Sequence, residues 1–256
     1  MSTLKKLLAI LVCLVVVCGC LGSCDVIEGL GGSKREADRY EASVRIVFAT
    51  NDDKMKAAVD AMSSSAVIKA DGDSIFVETT AESDDTVVSE SFTAVDGYLY
   101  HYLSLQSGIY SAERREVAAF TDTDSYFLLS EIGAGADIDI TDFKSCDASE
   151  LNGKTTYDCQ DITSEAREGL YATLSEDFSA LGATVDIKDV YFILETEGDL
   201  EMKSTLSCNF IITMNGESYE ITMRTYTEYD YDKEIEITVP SDADAYKEVS
   251  YKEIIG

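Results

Sequence analysis

The 256-residue chain carries 49 Asp and Glu against 20 Lys and Arg, a formal charge of −29, with one histidine, one proline and no tryptophan. A field of that sign repels nucleic acid and anionic lipid headgroups, which excludes a nucleic-acid binder. Apolar residues make up 45% of the sequence, enough for a sizeable core, and no proline-rich or low-complexity break divides residues 42–256, which read as one domain.

At the start, Lys5 and Lys6 precede an uninterrupted apolar run from Leu7 to Cys18. That run is short of the roughly 20 apolar residues a spanning helix needs and fits the apolar region of an export signal. The phrase "VVCGC" resembles a bacterial or archaeal lipoprotein signal, in which the thiol is lipidated and the chain is cut just before it. The resemblance implies a signal peptide over 1–19, Cys20 as the lipidated first residue of the mature chain, and a place on the outer face of the cell membrane. "LGSC" fits the same pattern and keeps Cys24 as the alternative. Loss of Lys5 and Lys6 leaves 18 basic residues against 49 acidic ones, a formal charge of −31. Two or three acyl chains hold such a protein firmly where one binds only reversibly. Residues 20–41, rich in glycine and mixed charge, read as the linker between membrane and domain.

A strand is expected at about 43–50. Asn51 then caps a helix through "DDKMKAAVDAMSSS", with Met55, Ala58, Val59 and Met62 at helical spacing. Hairpins follow at 65–81, turning at Asp71-Gly72, and at 86–106, turning at Asp96-Gly97. The second turn sets His101 opposite Phe92, on the face with Val88, Ala94, Leu99, Leu103 and Leu105, and puts Glu90 diagonally beside the imidazole. Tyr98, Tyr100 and Tyr102 take the other face. A strand at 115–120 leads to a short amphipathic helix at 124–132, stopped by Gly133, and then to a hairpin over 137–160 about Asn152-Gly153. The longest helix runs from near Thr163 to Gly182 with Leu170, Leu174, Phe178 and Leu181 on one stripe.

The C-terminal third alternates apolar and polar residues. A turn at Asn215-Gly216 pairs Met214 with Glu217, Ile212 with Tyr219, Phe210 with Ile221 and Cys208 with Met223, and gathers the apolar side chains on one face. Upstream, a three-residue loop of Thr196, Glu197 and Gly198 sets Leu194 opposite Leu200 and Phe192 opposite Met202. Downstream, "KEIEITVP" reads as a further strand, completing a four-stranded meander. About Asn152-Gly153, Asp147 faces Asp158 and Cys146 faces Cys159 at a non-hydrogen-bonded site, within reach of a disulfide. Cys208 stays an unpaired core thiol.

None of the glycine-rich nucleotide loops, nucleophile elbows or HExxH zinc motifs is present, and no cofactor is expected. His101 with Glu90 has the makings of a proton-transfer pair, but such a pair in an apolar setting is more often a satisfied structural one, and it is read so here. The acids of "DIDITD" (Asp137, Asp139, Asp142) and "SDADAY" (Asp242, Asp244) lack the spacing of a calcium loop, and no metal is expected.

The order of these elements, with "FTDTDSYFLLSEIG", "ELNGKTTYDC" and "NGESYEITMRTYTEYDYDKEIEITVPSDADAY", resembles the LolA and LppX type of lipoprotein carrier and its uncharacterised lipoprotein relatives. The likeness covers roughly residues 86 to 245. It implies an α+β, mostly β fold: a strongly curved antiparallel sheet, a half barrel of about 11–12 strands, covered by about three helices over an apolar cavity that holds acyl chains in some members. It transfers no catalytic residue, and no enzyme is expected. On that reading a lipid or other hydrophobic molecule lies against Phe92, Leu99, Leu103, Val190, Phe192, Leu194, Leu206, Phe210, Ile212 and Ile221. The other reading makes the same residues a closed core and gives the acidic, tyrosine-rich exterior to a cell-surface partner that the sequence does not name.

Overall fold

The computed structural model describes residues 39–83, 86–108, 110–120, 138–179 and 182–255. The signal peptide, Cys20, Cys24, most of the linker and the helix expected at 124–132 lie outside the described residues. The described part is mostly β. Its strands are β1 (Arg39–Ala49), β2 (Ser64–Asp71), β3 (Ser74–Ser83), β4 (Thr86–Val95), β5 (Tyr98–Ser107), β6 (Tyr110–Ala119), β7 (Phe143–Leu151), β8 (Lys154–Ile162), β9 (Thr184–Glu197), β10 (Leu200–Met214), β11 (Glu217–Asp230) and β12 (Lys247–Glu248). They form one large, curved, unclosed sheet in the order β12-β6-β5-β4-β3-β2-β1-β11-β10-β9-β8-β7. All neighbours are antiparallel except β12, which runs parallel to β6. Two meanders, β1 to β6 and β7 to β11, are thus joined along β1 and β11.

Turn chemistry explains the hairpins. In Asp96-Gly97, Asn152-Gly153 and Asn215-Gly216 both residues have positive φ, between 53° and 80°. That is the requirement of the type I′ turn, whose twist matches the strands it joins. Every pair expected about Asn215-Gly216 is present, including Cys208 with Met223. Two loops differ from expectation. The β2–β3 turn is Gly72-Asp73, so Asp71 pairs with Ser74; the pairing moves by two residues and the faces survive. The β9–β10 turn is Gly198-Asp199, with Glu197 opposite Leu200. In both, glycine sits first and takes the positive φ, +57° and +62°, as a type II′ turn demands.

The second difference has a larger effect. The register shifts between Glu201 and Lys203, so Met202 is bulged, Leu194 faces Ser204 rather than Leu200, and Phe192 faces Leu206 rather than Met202. A bulge exchanges the faces on one side of it. Glu201, not its apolar neighbours, therefore turns inward. A second bulge at Lys188 is held by Arg167, whose guanidinium donates to the carbonyls of Ile187 (3.0 Å) and Lys188.

The expected strand at 233–240 is absent: residues 234–240 have no strand structure. The edge of β11 is taken instead by β1, whose Ala42, Val44, Ile46 and Phe48 lie against Tyr229, Thr227, Thr225 and Met223. β1 begins at Arg39, inside the stretch read as linker, and Arg39 donates to the Ile235 carbonyl. The C-terminal segment goes on to the far edge. Asp242 pairs with Arg115, β12 lies along β6, and helix α3 (Tyr251–Ile255) packs its Tyr251 against Phe120.

The helix α1 is shorter than expected, Lys56–Asp60, and Asn51 does not cap it: the N-cap position is Met55, without a side-chain bond, and Asp52 holds the preceding turn, its Oδ1 accepting from the backbone N–H of Lys54 and Met55. Helix α2 (Ser164–Ser179) buries Ala166, Leu170, Leu174 and Phe178, one residue per turn, against the sheet. Gly182 N donates to Ser179 O and Ala183 N to Phe178 O, the paired bonds of a Schellman motif with glycine at φ +68°.

Cys146 and Cys159 pair across β7 and β8 and form a disulfide with Cα atoms 4.0 Å apart. Cys208 is the free cysteine among the described residues and is buried. Replacing Cys159 with alanine is expected to lower stability by about 3 kcal/mol, the loop-closure value for a separation of this size. Urea unfolding with and without reductant measures it, and a non-reducing peptide map that joined Cys208 to either partner would overturn the sheet register.

Candidate functional site

The core face of the sheet has three zones. Over β9, β10 and β11 it is made of large apolar residues. Val190, Phe192, Leu194, Phe210, Ile212 and Ile221 are all buried, the Phe178 ring of α2 lies 5.6 Å from that of Phe210, and Phe143 stacks on Phe192 at 5.9 Å. Burial here pushes the Cys208 thiol up to about 12, with Arg167 opposing and Asp189 adding to the shift. Leu206, at the margin of this zone, is only partly buried.

The second zone lies on the central strands, where most inward side chains are Ala, Ser or Thr, with Ile46, Val44 and Leu206 among them. Ala81, Ser64, Ile46, Thr225 and Leu206 stand in one row across β3, β2, β1, β11 and β10; Thr79, Ala66, Val44, Thr227 and Ser204 form the next. Ser64, Thr79, Ser204, Thr225 and Thr227 are buried, and Ser64 Oγ and Thr225 Oγ1 have no hydrogen-bond partner. The threonines of β11 carry on the face of Met223 and Tyr229, and that alternation was the available sign of them.

The third zone lies over β4, β5 and β6. Phe92, Leu99 and His101 are buried and Leu103 half-buried. The imidazole stacks on Phe92 at 4.7 Å and its Nε2 lies 2.8 Å from Glu90 Oε1, as the Asp96-Gly97 register implies. Two residues not foreseen complete a chain of charge. Glu116 is opposite His101, with Oε2 3.8 Å from Nδ1, and Arg114 Nη2 is 2.7 Å from the same carboxylate. A strand expected only from about 115 has no register to β5; β6 starts at Tyr110, and the Ser107 to Tyr110 pairing across Gly108 brings Glu116 and Arg114 beside His101. Arg114 also reaches the Glu253 carbonyl of α3 at 3.5 Å.

The other candidates separate from these zones. Asp139 and Asp142 bind each other's backbone in a capping box around a 3-10 turn, Ile140–Asp142; burial pushes the Asp142 carboxyl up, against the hydrogen bond from Asp139. No group of three metal-ligating side chains occurs among the described residues. Tyr98 is half-exposed on the outer face, but Tyr100 meets Tyr246 of the C-terminal segment edge-on at 5.5 Å and Tyr102 lies under Arg115 of β6, itself paired with Asp242.

No family model matches the chain, and no match was found among curated proteins. Among solved structures, the dehydratase domain of the polyketide PpsC from Mycobacterium tuberculosis aligns over 77% of each chain at 12% identity and a TM-score of 0.11. A superposition that loose bears on neither fold nor chemistry.

Proposed function

We propose that this chain is a membrane-anchored extracytoplasmic lipoprotein, a half barrel of the LolA and LppX type, that holds a lipid or other hydrophobic ligand between its core face and its helices. The anchor is the acylated Cys20, with Cys24 as the alternative, and the site of action is the outer face of the cell membrane. The observation that carries the ligand is the central zone. Short side chains there lie between large ones, and two buried hydroxyls, Ser64 Oγ and Thr225 Oγ1, are unpartnered. Such a hydroxyl costs about 1–3 kcal/mol if left so. An acyl ester supplies both the apolar bulk for the short side chains and carbonyl oxygens for the hydroxyls. Leu103 and Leu206, partly exposed on either side, extend the apolar wall. The large-residue zone under α2 then serves as the wall that positions the ligand.

Tight packing of Phe178 on Phe210 favours a second reading, in which the whole face is a closed core and the exterior binds a partner. Native mass spectrometry of protein extracted from its own membrane separates the two. The expected result is a diacylglyceryl mass on Cys20 together with a co-purified lipid at one per chain. A clean apo mass above the anchor removes the carrier, and an anchor that survives Cys20→Ser but not Cys24→Ser moves the lipidation site. Survival through both substitutions removes the anchor itself.

A further inference from the structure

We infer that the outer face of the sheet, centred on β10, docks a second copy of this chain about a two-fold axis that runs along β10. One row carries the argument. Across β1, β11, β10, β9 and β8 the outward residues are Arg45, Tyr226, Thr205, Ile193 and Asp158, each paired with the next. Arg45, Tyr226, Ile193 and Asp158 are exposed. The row is self-complementary about Thr205: cation and aromatic on one side, aliphatic and anion on the other, at equal numbers of strands. Neighbouring strands are about 4.8 Å apart, so Arg45 and Asp158 are each about 10 Å from the axis.

Both ends of the row lack a counter-charge. Arg45 has the Tyr226 ring at 5.9 Å and, like Arg224 beside it, no ion pair among the described residues, in a chain with 49 acids. Asp158 faces Asp147 directly across β7 and β8, two exposed carboxylates in opposition, an arrangement that destabilises a sheet. Turning one copy over the other puts Arg45 above the Asp147 and Asp158 of the second copy, and the same contact recurs in the opposite sense, as isologous interfaces require. A guanidinium fork suits paired carboxylates. Tyr226 then meets Ile193 of the second copy. In the next row Arg224, Ser207 and Tyr191 repeat the pattern, Arg224 over the second copy's Tyr191. Within these two rows exposed Tyr and Arg stand with Asp158 as the one acid, the composition of an interface centre, while Glu228 and Glu195 of the adjoining row are each held by a lysine of their own copy, Lys203 and Lys154.

The test uses the full-length chain in detergent. Thr205→Cys, on the axis, is expected to form a homodimer under mild oxidation at a level well above the parent chain, which has the same native cysteines; Ser65→Cys, three strands off the axis, is not. In sedimentation velocity Arg45→Asp and Asp158→Arg should each weaken self-association by about tenfold, and the double swap should restore it. All these residues are at the surface, and a retained Cys146–Cys159 crosslink reports that each variant has folded. A monomeric Thr205→Cys chain overturns the inference, as does a double swap no better than the singles. Crosslinking of Thr205→Cys to a different protein in membranes would assign the face to another partner and equally reject the second copy.

Discussion

Phe210→Ala is expected to lower the unfolding free energy by about 3–5 kcal/mol, read as a shift in the urea midpoint at constant slope. Phe210 has no exposed surface and is held from three directions: Ile221 of β11 and Ile187 of β9 on either side, and the Phe178 ring of α2 above. The strands are tied by their ladders and α2 is fixed at its C-terminus by the Gly182 motif, so the walls of the cavity move little. That places the cost at the upper part of the range for a large-to-small change. Phe210→Leu keeps most of the volume and should cost clearly less, about 1.5 kcal/mol. A loss below about 1 kcal/mol for Phe210→Ala would mean that α2 does not seat on β10, and both readings of the core face would then need a different cover.

His101→Leu is expected to cost a similar amount, about 3–5 kcal/mol, for an electrostatic reason. His101 is 3% exposed and lies between two carboxylates, Glu90 at 2.8 Å and Glu116 at 3.8 Å. Removing the imidazole leaves Glu90 facing an apolar side chain and Glu116 with only Arg114, whose head is half in solvent. Desolvated charge without a partner dominates the loss, so replacing the whole group should recover stability: Glu90→Met with His101→Leu and Glu116→Met is expected to unfold near the parent midpoint. The comparison is decisive because loss of packing alone predicts the opposite order, with the triple variant worst. An exposed pair such as Lys203–Glu228 is a useful contrast; breaking it should leave the urea midpoint essentially where it is, because solvent screens both charges.

The parts of this protein legible in the sequence are those whose cause is local. Asn215-Gly216 and Asn152-Gly153 demand positive φ at two successive residues, which few other dipeptides supply cheaply, and a two-residue loop then dictates every cross-strand pair. The Cys146–Cys159 bridge, the opposition of Asp147 and Asp158, and the placing of His101 against Phe92 all follow from such a turn and from counting outward. The cover helix was likewise legible, because Leu170, Leu174 and Phe178 recur at helical spacing and Gly182 ends the run. Tertiary structure decided what the chain does between distant segments. β11 offers its edge to any strand of matching pattern, and "KEIEITVP" lies only a few residues away. β1, separated from it by most of the chain, takes the place because it brings nine paired residues with a full apolar face, more buried surface than the short proline-ended segment provides. The bulges at Met202 and Lys188 belong to the same class. Alternation along β10 cannot reveal a register shift that arises from fitting a long, curved strand between two neighbours. Nor can it show that Glu201 turns inward, or that Glu116 and Arg114 close the charge chain begun by Glu90. Local dihedral demands are written residue by residue, whereas the choice among competing edges is made by total buried area, which exists only once the sheet is assembled.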